Sequence, residues 1–318
     1  MGQDPGFTLR VEVPVVTVDV SVTISDGRPV DGLLAGDFRV FDGGVEQELR
    51  YFGPASEPYH VYVLLDVSES TAGHRDFMRQ VVFGFLDSLR PRDQASIGVF
   101  SREPETLVAW TDSREAAERQ VRAWASRGDM DGTTEFYRSL EWVLDRGFDG
   151  IDERRAVVVL TDGRDAALYR QLQQDGRLPL PEEESAFRDL LEAATTARIP
   201  VYFVAMNTDM NLEANAEGNE YRSLRRMYPD SDLADRYLGQ VRIRMERIAA
   251  GTGGQVYLPG DVSDVVPLFG EIAAALGQSY SLGWTPPVRE DGTPRTIEVR
   301  ISNPEYRVRQ SRYDYPPR

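Results

Sequence analysis

The chain has 318 residues, 41% hydrophobic and 28% charged, enough to bury one large core or two modest ones. Its formal net charge of −16 and pI near 4.7 argue against nucleic acid and anionic membrane surfaces as partners, because phosphate binding needs a basic face. No cysteine is present and every basic residue is arginine, which excludes thiol catalysis, disulfides, cysteine metal sites, lysine Schiff bases and the Gly-Lys-Ser/Thr phosphate loop.

The first predicted elements are strands. Val11, Val13, Val15, Val18, Val20 and Val22 are interleaved with polar residues across 8–24, and Asp26-Gly27 marks a turn. Phe38–Phe41 and Val45–Phe52 flank Asp42-Gly43-Gly44, a hairpin signal. From His60 the rhythm changes. Apolar runs at Val61–Leu65, Ala95–Phe100, Ala156–Leu160 and Val201–Ala205 predict buried strands, with Thr106–Trp110 as an antiparallel edge strand. Helical spacing lies between them: Phe77, Val81, Phe85 and Leu89, then Arg114–Ala125, Phe136–Leu144, Ser185–Ala197, Val241–Ala250 and Val262–Leu276. Alternating strand and helix predicts an α/β unit with a largely parallel sheet covered on both faces. Gly251-Thr252-Gly253-Gly254 reads as a helix stop and not as a phosphate cradle.

After Gly277 the helical period ends, and Ser279–Trp284, Arg295–Ile301 and Tyr306–Arg312 read as strands. Three strands alone are marginal. The economical arrangement joins 1–56 and 278–318 into one all-β, Ig-like sandwich of about seven strands, with an α/β domain over 57–277 inserted between them. Segments 164–184 and 207–240 are long for connections, leave the carboxyl edge of the sheet, and are expected to surround any site there and set partner choice.

Asp66-Val67-Ser68-Glu69-Ser70 directly follows the first buried strand. Alternate residues of an extended loop project to one side, so one carboxylate and two hydroxyls converge, a hard-oxygen set suited to Mg²⁺. Gly132-Thr133 precedes the Phe136 helix, and Thr161-Asp162-Gly163 follows the Ala156–Leu160 strand. Each lies at a strand end, where open α/β sheets bind ligands. Helix capping and an ordinary Thr-Asp-Gly turn are the bland alternatives.

These three pieces, in this order, resemble the metal-ion-dependent adhesion site of von Willebrand factor A domains. The resemblance implies a Rossmann-like, doubly wound domain. It makes Ser68 and Ser70 direct ligands of Mg²⁺ (or Mn²⁺ or Ca²⁺), Thr133 a direct or water-mediated ligand, and Asp66 and Asp162 direct or water-bridged carboxylates. Gly36–Gly44 and Tyr280–Trp284 are similar to the ends of a bacterial von Willebrand A-related family common in acidobacteria. Integrin-type domains carry an acidic pair soon after the second serine; Thr71-Ala72-Gly73 stands there, which argues against a second regulatory ion.

The expectation is a metal-dependent, adhesion-type interaction module, not an enzyme, whose partner offers a Glu or Asp to the ion. Alternatives are an accessory or assembly factor of an envelope or ATPase complex, and a metal-assisted hydrolase. The hydrolase is the weakest, since neither His60 nor His74 is a placed base and no G-x-S-x-G elbow occurs. Glu69, Asp131, Glu135 and Asp165 are expected to be solvated near the loop, and Glu182–Glu184 to be an acidic helix start, with an internal pseudo-ligand as its sharper alternative. No stretch is long enough for a transmembrane helix, and Met1-Gly2-Gln3-Asp4 carries no signal peptide and reads as an artificial start. The resemblance implies a secreted or envelope-associated protein, with a cytoplasmic one left open.

Overall fold

The structure, a computed structural model, describes residues 15–24, 29–55, 58–67, 75–125, 134–151, 154–206, 224–227, 229, 232–260, 262–287, 295–310 and 313–315. The chain divides into two compact units, Met1–Ser56 with Gln278–Arg318, and Glu57–Gly277.

The N-terminal part of the first unit contributes β1 (Val16–Thr23), β2 (Phe38–Asp42), β3 (Val45–Gln47) and β4 (Leu49–Pro54). Asp42 pairs with Val45 across a two-residue turn in which Gly43 and Gly44 have φ of 59° and 82°. Two successive positive φ values match the twist of the flanking strands and favour glycine at both positions. The segment Val45–Phe52 is not one strand, as its pattern suggests. It breaks at Glu48, so that β3 pairs with β2 while β4 crosses to the other sheet.

The second unit begins with β5 (Tyr59–Asp66), α1 (Arg75–Ser88), β6 (Gln94–Phe100), β7 (Pro104–Thr111), α2 (Arg114–Ala125), α3 (Phe136–Arg146) and β8 (Arg154–Thr161). It continues with α4 (Ala166–Asp175), α5 (Ser185–Ala197), β9 (Val201–Ala205), α6 (Leu233–Thr252), β10 (Val256–Tyr257) and α7 (Val262–Gly277). The sheet order is β10-β9-β8-β5-β6-β7, parallel except for β7, which pairs antiparallel with β6 at the edge. Strand alternation divides the core. Tyr62, Leu64, Val157, Val159 and Phe203 face α3, α4, α5 and α6. Val61, Val63, Leu65, Val158, Leu160 and Val204 face α1, α2 and α7. Strands buried on both faces must be apolar throughout, which explains the unbroken runs in the sequence.

The segment 164–184 is not a long surface loop. It contains α4, whose Leu168 and Leu172 are fully buried in the core. Most of 207–231 lies outside the described residues, and α6 takes the end of the second insertion from Leu233 onward. Gly253 ends α6 at φ 80° and donates its N–H to Ala249 O, so the glycine run is a helix stop.

The first unit is completed by β11 (Ser279–Trp284), β12 (Arg295–Ile301), β13 (Arg307–Gln310) and β14 (Asp314–Tyr315). Its two four-stranded sheets run β13-β1-β11-β4 and β14-β12-β2-β3. Val18, Val20, Leu282 and Trp284 of one meet Phe38, Val40, Ile297 and Val299 of the other in one core. Trp284 is fully buried and donates its indole N–H to Asp42 Oδ2 at 2.9 Å, so a carboxylate satisfies the polar edge of the largest core side chain.

Candidate functional site

Asp66 is the last residue of β5 and is fully buried at the carboxyl edge of the sheet. Its register neighbour on one side is Phe100, and on the other side the pairing runs to Leu65–Leu160. Thr161, the next residue of β8, therefore lies alongside. Its hydroxyl donates to Asp66 Oδ2 at 2.7 Å, and Thr161 Oγ1 itself accepts the Gly163 N–H at 2.9 Å. One threonine thus fixes a carboxylate and closes the turn after its own strand.

That turn carries Asp162, which is also buried. Its Oδ1 accepts the Arg164 N–H at 3.0 Å, and Arg164 Nε lies 3.6 Å from Oδ2. Gly163 has φ 74°, and a Cβ there would meet Met245 Sδ at 2.7 Å and Val241 Cγ1 at 2.9 Å. Only glycine combines this backbone with this close approach to α6.

Asp165 is not a solvated side chain at the loop. It is buried and caps α4, accepting the Ala167 N–H at 2.6 Å through one oxygen and the Tyr137 N–H at 2.8 Å through the other. It ties the first turn of α4 to that of α3. Burial raises its carboxyl to about 6, against the pull of both N–H bonds. Glu135 pairs with Arg170 at 3.1 Å.

The acidic run before α5 is engaged by arginines. Glu182 pairs with Arg247, Glu183 with Arg177 at 2.6 Å, and buried Glu184 with buried Arg244 at 2.7 Å. These pairings leave no support for the pseudo-ligand alternative. Burial pushes the Glu184 carboxyl up even beside this guanidinium. His60 is buried inside β5 with its ring edge-on to Trp110, not poised in a loop.

Of the five expected ligands, Asp66 and Asp162 are brought to neighbouring strand ends, whereas Ser68, Ser70 and Thr133 lie outside the described residues, as do Glu69, Asp131 and His74. Among the described residues no three His, Cys, Asp or Glu side chains form a metal-binding group. The expected set contains only two such residues, its other donors being hydroxyls. The donor chemistry, two buried carboxylates at one sheet edge, fits a hard divalent cation. Motif reasoning missed Thr161 as the residue that orients Asp66, and Arg164 as the charge beside Asp162. A threonine ending a strand beside an aspartate was the available signal for the first.

A family model described as von Willebrand factor type A domain matches residues 61–164. That part of the chain is a von Willebrand factor type A domain. The match runs from the third residue of β5 to Arg164, just past the Thr-Asp-Gly turn, and so includes the ends of β5 and β8 described above. A von Willebrand factor type A protein from Catenulispora acidiphila aligns with 88% of this chain and 72% of its own, at 10% identity and a TM-score of 0.50. An aerotolerance-related membrane protein from Bacteroides fragilis covers 68% of this chain and 98% of its own, at 14% identity and a TM-score of 0.43. The PilB minor pilin from Streptococcus sanguinis covers 71% of this chain and 63% of its own, at 11% identity and a TM-score of 0.47. At 10% identity the Catenulispora acidiphila match speaks to fold alone, and the other two, with TM-scores under 0.5, carry no argument. No curated protein matches the chain.

Proposed function

We propose that the von Willebrand factor type A domain is a divalent-cation-dependent protein-interaction module that takes a Glu or Asp side chain of a partner, and that it binds without catalysis. The observation that carries this reading is the Thr161 hydroxyl holding the buried Asp66 carboxylate beside the Asp162 turn. Two buried carboxylates at one sheet edge carry one more negative charge than the Arg164 guanidinium offsets, and a buried excess charge is costly without a further cation. Asp66 and Asp162, with the hydroxyls of Ser68, Ser70 and Thr133, would hold the ion, Mg²⁺ by donor type and Mn²⁺ or Ca²⁺ by substitution. When bound, the cation supplies a positive charge that accepts a carboxylate oxygen. Two carboxylates, the Arg164 guanidinium and a divalent ion leave one net positive charge, which favours an acidic ligand over a neutral one. Affinity would come from this bond and from contacts around it. A secreted or envelope location suits such a module, and no helix among the described residues is long and apolar enough to cross a membrane.

Thermal unfolding in EDTA, Mg²⁺, Mn²⁺ and Ca²⁺ tests the reading on wild type and on Asp66→Ala/Ser68→Ala. At an ion concentration 100 times Kd the wild type gains about 2.7 kcal/mol, and the double variant gains nothing. Equal melting temperatures in EDTA and in every ion, for both proteins, would refute it.

A further inference from the structure

A groove of about 890 Å³ lies on the second unit, and none of the five expected metal ligands is among the described residues that line it. Its walls follow from helical spacing. Arg138, Glu141, Trp142 and Asp145 form one stripe of α3, and Asp189, Glu192, Ala193 and Thr196 one stripe of α5. The two helices pack side by side. Glu103 and Pro104 at the start of β7 also line the groove.

Its lining combines two features. Trp142 is 37% exposed and stands on the polar stripe of α3, whereas the other aromatic residues of that helix, Phe136 and Tyr137, are buried. Around it stand five carboxylates and a single cation, Arg138. Asp145 pairs with Arg146 at 2.7 Å, but Glu103, Glu141, Asp189 and Glu192 form no ion pair among the described residues. Elsewhere on the same unit some exposed acids are paired, Asp87 with Arg114 and Glu246 with Arg242, while Asp112, Asp149, Asp175 and Glu271 form no ion pair among the described residues, so what marks the groove is the gathering of its open carboxylates in one place.

We infer that this groove is a second, cation-independent docking site for a basic, arginine-bearing peptide segment of a protein partner. An arginine stacks its guanidinium on an exposed indole while its N–H fork meets carboxylates at the rim. Lysine offers a point charge without the planar stack and binds less well. A chain of net charge −16 attracts such a segment over distance, and the open carboxylates direct it to this groove. The occupant is opposite in charge to the ligand of the metal loop, so one partner can engage both sites only if it carries an acidic and a basic element.

The test uses the full chain in EDTA and fluorescence anisotropy with labelled octapeptides of alternating glycine and arginine, glycine and lysine, or glycine and glutamate. The arginine peptide binds, the lysine peptide binds more weakly and the glutamate peptide does not bind. Trp142→Ala weakens the arginine peptide roughly three- to fivefold, the range for an exposed cation–π contact. Glu141→Gln/Glu192→Gln weakens it by at least a similar factor, and the equal charge loss Glu115→Gln/Glu118→Gln on α2 does not. Glu115, Glu141 and Glu192 are exposed and Glu118 is half-buried beside Arg122, so circular dichroism on each variant separates lost binding from lost fold. Absence of binding, or equal weakening by the α3–α5 and α2 variants, overturns the inference. Self-association that Trp142→Ala abolishes, without peptide binding, would assign the groove to a second copy and also overturn it. Because EDTA is present throughout, failure here leaves the cation-dependent reading to its own test.

Discussion

Arg244→Met isolates the largest buried electrostatic commitment of the second unit. Arg244 and Glu184 are each about 1% exposed. The guanidinium donates to Glu184 Oε2 at 2.7 Å, to Gln240 O and Oε1 at 3.0 and 2.9 Å, and to Pro179 O at 3.1 Å. Methionine retains much of the volume but none of the donors, leaving a buried carboxylate without its counter-charge. Breaking a buried pair from one side costs about 3–5 kcal/mol. For a unit of this size that lowers the melting temperature by roughly 10 °C. The loss also depends on pH. Burial already raises Glu184 above its unfolded value of 4.5, and removing Arg244, which lowers it, raises it further. A folded-state pKa above the unfolded value means that stability is lost as pH rises from about 4.5 through the folded pKa. Urea denaturation of wild type and variant at several values from pH 4 to 8 should show a deficit that grows with pH and then levels. Adding Glu184→Gln should recover part of it. A deficit below about 1 kcal/mol at pH 8, or one independent of pH, would refute the argument.

Thr161→Val keeps the shape but removes the donor to Asp66 and the acceptor for Gly163 N–H; we expect about 2–3 kcal/mol of lost stability and weaker cation binding by calorimetry. Gly163→Ala must force a side chain into a φ of 74° against Met245 and Val241, which should cost roughly 1–3 kcal/mol in thermal unfolding; a neutral result would mean that α6 yields there. Asp165 titrates near 6 when folded against 3.8 when free, so its contribution to stability falls as pH rises from about 4 to 6, on the order of 2–3 kcal/mol. An Asp165→Asn variant should lose that slope in a pH series of urea midpoints, and a slope identical to wild type would assign it to other groups.

Much of the α/β unit is legible because its determinants are local. A strand buried on both faces needs an apolar run, and Val201–Ala205 carries one over its whole length. Ser185–Ala197 likewise places Phe187, Leu190 and Ala194 on one buried face of α5. The exception, α4, had its signals in place: Asp165 as cap, Leu168 and Leu172 one turn apart, and Gly176 in the left-handed region at its end. They were obscured because the segment is polar overall and follows a motif that reads as a loop.

The order of the metal-loop pieces along the chain was local information, as was the glycine demanded after Asp162. What holds Asp66, however, is a hydroxyl 95 residues away, and what occupies Glu184 is an arginine 60 residues away. With 36 arginines and 52 acidic residues, pairing by sequence is degenerate. The same is true of the switch of strand at Glu48, where one apolar pattern served two sheets. Periodicity tells which side of an element is buried. Only the packed sheet decides which distant side chain meets it there, because that choice follows from strand order and register, not from any property of the residue alone.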